Sequence, residues 1–200
     1  MIRTGMQEQK ALRAGAQEPE EYLSLCSFTA GTARFGIDTH RIREVLGRRL
    51  LQRVPLAPAY IGGIVPYRGE VLTTVSFRAL LGLPPFAGES AVLVLEDCES
   101  GDRGPNDEQE QHGTARESFG LMVDAVGGVV TVARSILAAN PATLDERSKT
   151  LFDGAFRMPD GLLIRLDPGM LRPARLGGTG LFRHALGAAT GDWGAMSCVR

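Results

Sequence analysis

The length of its apolar runs most limits how this chain can fold. Tyr22 to Thr29, Ala33 to Ile37, Ala91 to Glu96, Phe119 to Val126, Val129 to Val132 and Leu162 to Leu166 are all too short for a stable lone helix and suit strands. Turn residues separate them. Ala30-Gly31-Thr32 lies between two such runs, Arg68-Gly69-Glu70 between the apolar stretches Gly62 to Tyr67 and Val71 to Val75, and Pro159-Asp160-Gly161 between Phe152 to Met158 and Leu162 to Leu166, which predicts three hairpins. Helix signals are few: Phe77 to Leu81 before Gly82, and Asp167 to Leu171. Asp38 to Leu46 reads either as a short helix capped by Asp38 or, from Arg43 onward, as extended chain. Many short strands with turn signals at regular spacing predict an all-β barrel or sandwich. The strands fall into a group before residue 90 and one after it. Two small barrels sharing one core fit a chain of 200 residues.

The ends and one internal stretch differ in texture. Residues 1–20 are polar and small, which predicts a flexible arm. Residues 96–110 hold seven acidic residues and one arginine. Nothing between 97 and 117 can bury apolar surface, so a solvated loop insertion is expected there. After Pro173 the chain is rich in Gly and Ala, and 174–200 is expected to be a loose tail. The compact unit is therefore expected over 21–173.

Charge and cysteine usage narrow the function. Lys and Arg number 22 against 23 Asp and Glu, a net charge of −1, which argues against whole-domain binding to nucleic acid. No apolar run approaches the roughly 20 residues of a membrane helix, and no apolar stretch marks a signal peptide, so a cytoplasmic protein without membrane insertion is expected. Cys26, Cys98 and Cys198 are too widely spaced for a disulfide framework or a metal site, and Cys26 sits in a strand pattern as a small core residue. His40, His112 and His184 stand at no metal-ligand spacing. No nucleophile elbow or phosphate loop occurs, the Gly177-Gly178-Thr179-Gly180 run follows no strand, and Asp145 and Glu146 beside Arg147 read as a solvated face. Neither a catalytic residue nor a cofactor is expected, with an enzyme or small-ligand binder on a β-barrel scaffold as the alternative reading. Arg41, Arg43, Arg48, Arg49 and Arg53 form a basic cluster, read either as a partner-binding edge or as solvated surface.

Four stretches together resemble a known family. Phe35-Gly36-Ile37-Asp38 with Ile42-Arg43-Glu44-Val45 is similar to the start of CheW-like domains. Pro55 to Val71 resembles that family's Pro-x-x-Pro-x-Phe-x-x-Gly-Val-x-Asn-Leu-Arg-Gly-x-Ile block. Gly120-Leu121-Met122-Val123-Asp124-Ala125-Val126 and Gly161 to Pro168 are similar to its later strands. The resemblance implies two five-stranded SH3-like barrels around a shared hydrophobic core, with few short helices. It implies a non-enzymatic chemotaxis adaptor, without cofactor, that couples a chemoreceptor's cytoplasmic tip to the regulatory domain of a CheA-type histidine kinase. It also implies a protein-binding set of Ile42, Glu44, Arg68 and Gly69. In that set Arg68 presents its guanidinium at a hairpin apex, Glu44 pairs with it, and Gly69 holds the turn. Ile42 is either an apolar contact or a core residue. Three departures stand out. Pro66 and Tyr67 replace Asn and Leu before the Arg-Gly turn. Ser76 stands where a carboxylate is usual. The 97–117 segment replaces a short turn. Pro66 lacks a backbone donor, which predicts an edge or irregular strand.

Overall fold

The computed structural model describes residues 20–47, 51–96, 118–140 and 146–178. The arm expected over 1–19, the acidic insertion over 97–117 and residues 179–200 of the tail lie outside them, as do Arg48, Arg49, Cys98, His112, Asp145, His184 and Cys198.

Among the described residues, eleven strands make two mixed sheets. The first holds β1 (Tyr22–Ala30), β2 (Ala33–Asp38), β8 (Ala125–Ala133), β9 (Leu137–Ala138), β10 (Phe152–Met158) and β11 (Gly161–Leu166), in the order β8-β1-β2-β11-β10-β9. The second holds β3 (Ile42–Leu46), β4 (Ile61–Tyr67), β5 (Glu70–Ser76), β6 (Ala91–Glu96) and β7 (Ser118–Val123), in the order β3-β6-β7-β5-β4. The expected hairpins are present as β1–β2, β4–β5 and β10–β11. The first sheet exceeds five strands only by the two-residue β9, too short to read from a pattern. Helices are short: α1 (Phe77–Leu80), α2 (Glu146–Leu151) and α3 (Pro173–Gly178), with three 3₁₀ turns.

The apolar alternation explains how the sheets stack. On β6, Val92 and Val94 join Leu46, Val65, Tyr67 and Leu72 in a cluster belonging to the second sheet alone. The intervening Leu93 and Leu95 point the other way, into a large cluster with Phe28, Phe35 and Ile37 of the first sheet. Leu25, Val132, Phe156 and Leu163 form the first sheet's own cluster. Strands buried on both faces read as continuous apolar runs, which is why AVLVLE carries no polar alternation. Four phenylalanines tie the shared core. Phe35 lies 5.7 Å from Phe28, 4.8 Å from Phe77 and 5.9 Å from Phe152, ring centre to ring centre. Gly120 is a close-approach position: a Cβ there would lie 2.7 Å from Val92 and 2.9 Å from Thr74.

Asp38 does not cap a helix of any length. A single 3₁₀ turn, Thr39–Arg41, is followed at once by β3, and the Asp38 carboxylate instead accepts from Arg165 at 2.7 Å. Of the two readings of 38–46, the extended one from Arg43 describes the chain. Nor does the chain loosen at Pro173. Residues Pro173–Gly178 form α3, whose Leu176 is buried in the shared core. A single leucine among glycines carries no periodic signal, so composition alone missed it. Cys26 is buried as expected, and burial raises its thiol pKa.

Candidate functional site

The edge strand β4 and its hairpin position the site. Ile64 spends both its N–H and its C=O on Gln52, outside the sheet, at 2.9 and 3.0 Å. Pro66, two residues on, faces the same outer edge, where its missing N–H costs no ladder bond. The expectation that the strand before the turn is an edge therefore holds.

The β4–β5 connection is the two-residue loop Arg68-Gly69. Both residues have positive φ, 51° and 86°, as a type I′ hairpin loop requires. Glycine meets that demand without strain. Arginine does not, so Arg68 sits in a conformation that an asparagine or glycine would adopt more readily. The strand twist carries the loop across to β3, the opposite edge of the same sheet. There the Arg68 guanidinium donates to Glu44 Oε2 at 2.7 Å, and the Tyr67 hydroxyl donates to the same oxygen at 2.9 Å. The Arg68 guanidinium carbon lies 5.3 Å from the Tyr67 ring centre.

These three side chains form one unit. Burial first, and then the Glu44 hydrogen bond, raise the Tyr67 phenol above its ordinary value of 10.0, with Arg68 and Arg43 acting the other way. The phenol is thus a donor near neutral pH. The Glu44 hydrogen bond is also the main cause raising the Arg68 guanidinium. The pair faces water: the side chains are 61% exposed for Arg68 and 37% for Glu44. An exposed ion pair adds little to stability, so this geometry displays a cation more than it holds the fold. Beside it, Val71 and its cross-strand partner Pro66 are both exposed, which sets an apolar pair next to the charge.

The four residues named from the resemblance meet different fates. Glu44 and Arg68 are joined, and Gly69 completes the turn. Ile42 is half-buried, opposite Leu95 and packed against the shared core, so of its two readings core packing describes most of its surface. Tyr67 is the member that sequence reasoning missed. It stood out only as a departure from the family's Leu, although a tyrosine beside an apical arginine can supply both a ring and a donor. Of the basic cluster, Arg43 stands 3.9 Å from Glu96 and Arg53 is exposed.

Another acid–arginine pair, like Arg165–Asp38, lies inside. Arg78 on α1 meets Asp124 at 2.5 Å, with the Asp124 side chain only 8% exposed. The same Asp124 oxygen accepts from the Gly31 N–H in the β1–β2 turn at 2.8 Å. One carboxylate thus ties α1 and the β1–β2 turn together. Ser76, which stands where a carboxylate is usual, caps α1: its hydroxyl accepts from the Ala79 N–H.

A protein-family model described as the CheW-like domain matches residues 24–173. The chain belongs to the CheW-like family. "Probable chemotaxis protein CheW" of Rhizobium etli is 29% identical over 132 residues, 66% of this chain and 72% of that protein. "Chemotaxis protein CheW" of Rhizobium meliloti is 26% identical over 148 residues, 72% of this chain and 84% of that one. Protein FrzA of Myxococcus xanthus is 33% identical over a shorter 76 residues, 38% of this chain and 46% of that protein. The solved structure of the scaffolding protein TtCheW from Thermoanaerobacter tengcongensis superposes with a TM-score of 0.61 at 18% identity, over 76% of this chain and 92% of that one, which supports the SH3-like fold. This CheW-like chain is a chemotaxis coupling adaptor and not an enzyme. No helix among its described residues is long and apolar enough to cross a membrane.

Proposed function

We propose that the Glu44–Tyr67–Arg68 unit, with Gly69 setting the turn and Ile42 steadying β3, is the face by which this adaptor grips the cytoplasmic tip of a chemoreceptor. In this reading a separate surface holds the regulatory domain of a CheA-type histidine kinase, and the adaptor works in the cytoplasm. The observation that carries it is the conformation of Arg68. A left-handed arginine at a hairpin apex is the wrong residue for the turn and the right one for recognition: its planar fork is aimed outward and its orientation is fixed by Glu44. A residue kept against local preference marks a place where function outweighs folding.

The test follows from that conflict. Arg68→Asn places the residue pair best suited to the turn, Asn-Gly, at 68–69. The variant is expected to melt at the same temperature as the parent or higher, yet to lose binding to a receptor-tip fragment in a pull-down. It is expected to keep binding to the kinase regulatory domain, measured in parallel. Undiminished receptor binding by this variant would sink the reading.

A further inference from the structure

Each sheet ends in two edge strands, and the four margins are not alike. On β4, Gln52 and Pro66 already interrupt the ladder. β3 carries Arg43 and Glu44, and β9 is two residues long. β8 runs for nine residues, Ala125–Ala133, without a charge or a proline, and among the described residues it pairs only with β1. It has none of the lysines, prolines or inward charges that keep an edge single. Its one irregularity is a bulge: the register to β1 shifts between Cys26 and Phe28, where Ser27 Oγ donates to the Gly128 carbonyl at 2.8 Å. Residues 129–133 lie beyond it, in unbroken register with β1. The Arg134 N–H points inward, donating to the Glu21 carbonyl at 2.8 Å. That direction alternates along an antiparallel ladder, so Val129, Thr131 and Ala133 turn amide and carbonyl away from β1. Val129 and Thr131 also expose their side chains, Val129 to 65%.

A strand that docks on this margin must itself have a free and uncharged edge, and among the described strands β8 is the one that does. Two copies of β8 related by a two-fold axis are antiparallel by symmetry. With the axis at Thr131, each Thr131 faces its own counterpart and Val129 faces Ala133 of the second copy. Two bonds per facing pair over three pairs close about six main-chain hydrogen bonds. The charges permit it. Arg134 falls opposite Gly128, where a Cβ would meet nothing within 4 Å. The two Arg134 residues then stand about 20 Å apart along the strands, too far to repel strongly. We propose that residues 129–133 of β8 form an isologous interface with a second copy of this chain. Pairing consumes β8 and the other margins are obstructed or short, so growth stops at two. One strand pair buries less than the roughly 1,200 Å² of a standard interface, which makes the dimer weak and concentration-dependent. Pairing also duplicates every other face of the adaptor, so weak contacts elsewhere gain avidity. The proposal does not depend on the role of Arg68.

The test uses the full chain in sedimentation equilibrium, where a monomer–dimer equilibrium with a Kd between about 1 μM and 1 mM is expected. Thr131→Lys and Thr131→Glu each set like charges face to face on the axis, and each is expected to weaken the dimer about fivefold or more. Mixing the two variants, one of them fluorescently labelled, is expected to restore pairing at the parent's affinity or better, because opposite charges then meet. Thr131→Val is expected to dimerise like the parent. Far-UV circular dichroism and the melting temperature of all three variants are expected to match the parent, since the position is exposed. The amides of Val129, Thr131 and Ala133 are expected to exchange fast in dilute protein and slowly where the dimer is populated. A monomer at every concentration up to about 1 mM overturns the proposal. So does a dimer that Thr131→Lys leaves intact, or one that mixing the charged variants fails to recover. Protection of those three amides that is independent of concentration also overturns it, because another part of the same chain then covers β8.

Discussion

Two acid–arginine pairs in this molecule have similar lengths and opposite meanings. Arg78–Asp124 and Arg68–Glu44 close at 2.5 and 2.7 Å, but the first is nearly dry and the second stands in water. Water decides what each pair is for. The buried pair ties α1 to the junction of β7 and β8, and removing one partner leaves a mostly buried charge without its counter-ion. The exposed pair is screened and spends its cation on the surface, where another molecule can use it. Distance alone would have ranked them as equals.

That contrast can be broken in order of effect. Asp124→Ala is expected to cost about 3 to 5 kcal/mol of stability, read from urea unfolding, because Arg78 then stays buried without its partner. The double variant Asp124→Ala with Arg78→Leu is expected to be more stable than Asp124→Ala alone; if it is not, the loss lies in packing or in the Gly31 hydrogen bond. Arg68→Ala is expected to leave the unfolding midpoint almost unmoved while weakening receptor-tip binding by about tenfold or more in a titration, the size of effect expected of an arginine hot spot. A large fall in stability would mean that the exposed pair closes the barrel and the contrast fails. The receptor affinity is also expected to fall between low and high salt, whereas the stability contributed by Asp124 is not.

The smallest effect concerns pH. Tyr67 keeps its proton more tightly in the fold than in the unfolded chain, since burial and Glu44 raise its pKa. Its contribution is therefore fully present below about pH 10, the unfolded value, and is lost as pH rises through the folded value. Tyr67→Phe is expected to flatten that alkaline decline and to trim receptor affinity only slightly. An unchanged alkaline profile would show that the phenol does not couple to the fold.

What could be read from the residues follows the same division between local and distant causes. The strands and hairpins were legible because apolar runs and turn residues are local signals. Pro66 even placed β4 at an edge. The Arg68–Glu44 pairing was legible through the family resemblance, since 24 residues separate the two partners. Arg78–Asp124 was not, because its partners lie 46 residues apart and the absent acid at Ser76 drew attention to the wrong place. Tyr67 was passed over because a mismatch with a pattern was read as a loss. Leu176 was passed over because one apolar residue has no period.

The outer flank of β4 has a further consequence. Gln52 already occupies the amide and carbonyl of Ile64, and Pro66 has no amide to give. An incoming strand would find no continuous ladder there, so this flank resists sheet extension and the runaway polymerisation that bare margins invite. A partner that meets this flank of β4 is recognised through side chains, and residue identity rather than main-chain geometry then decides what it accepts.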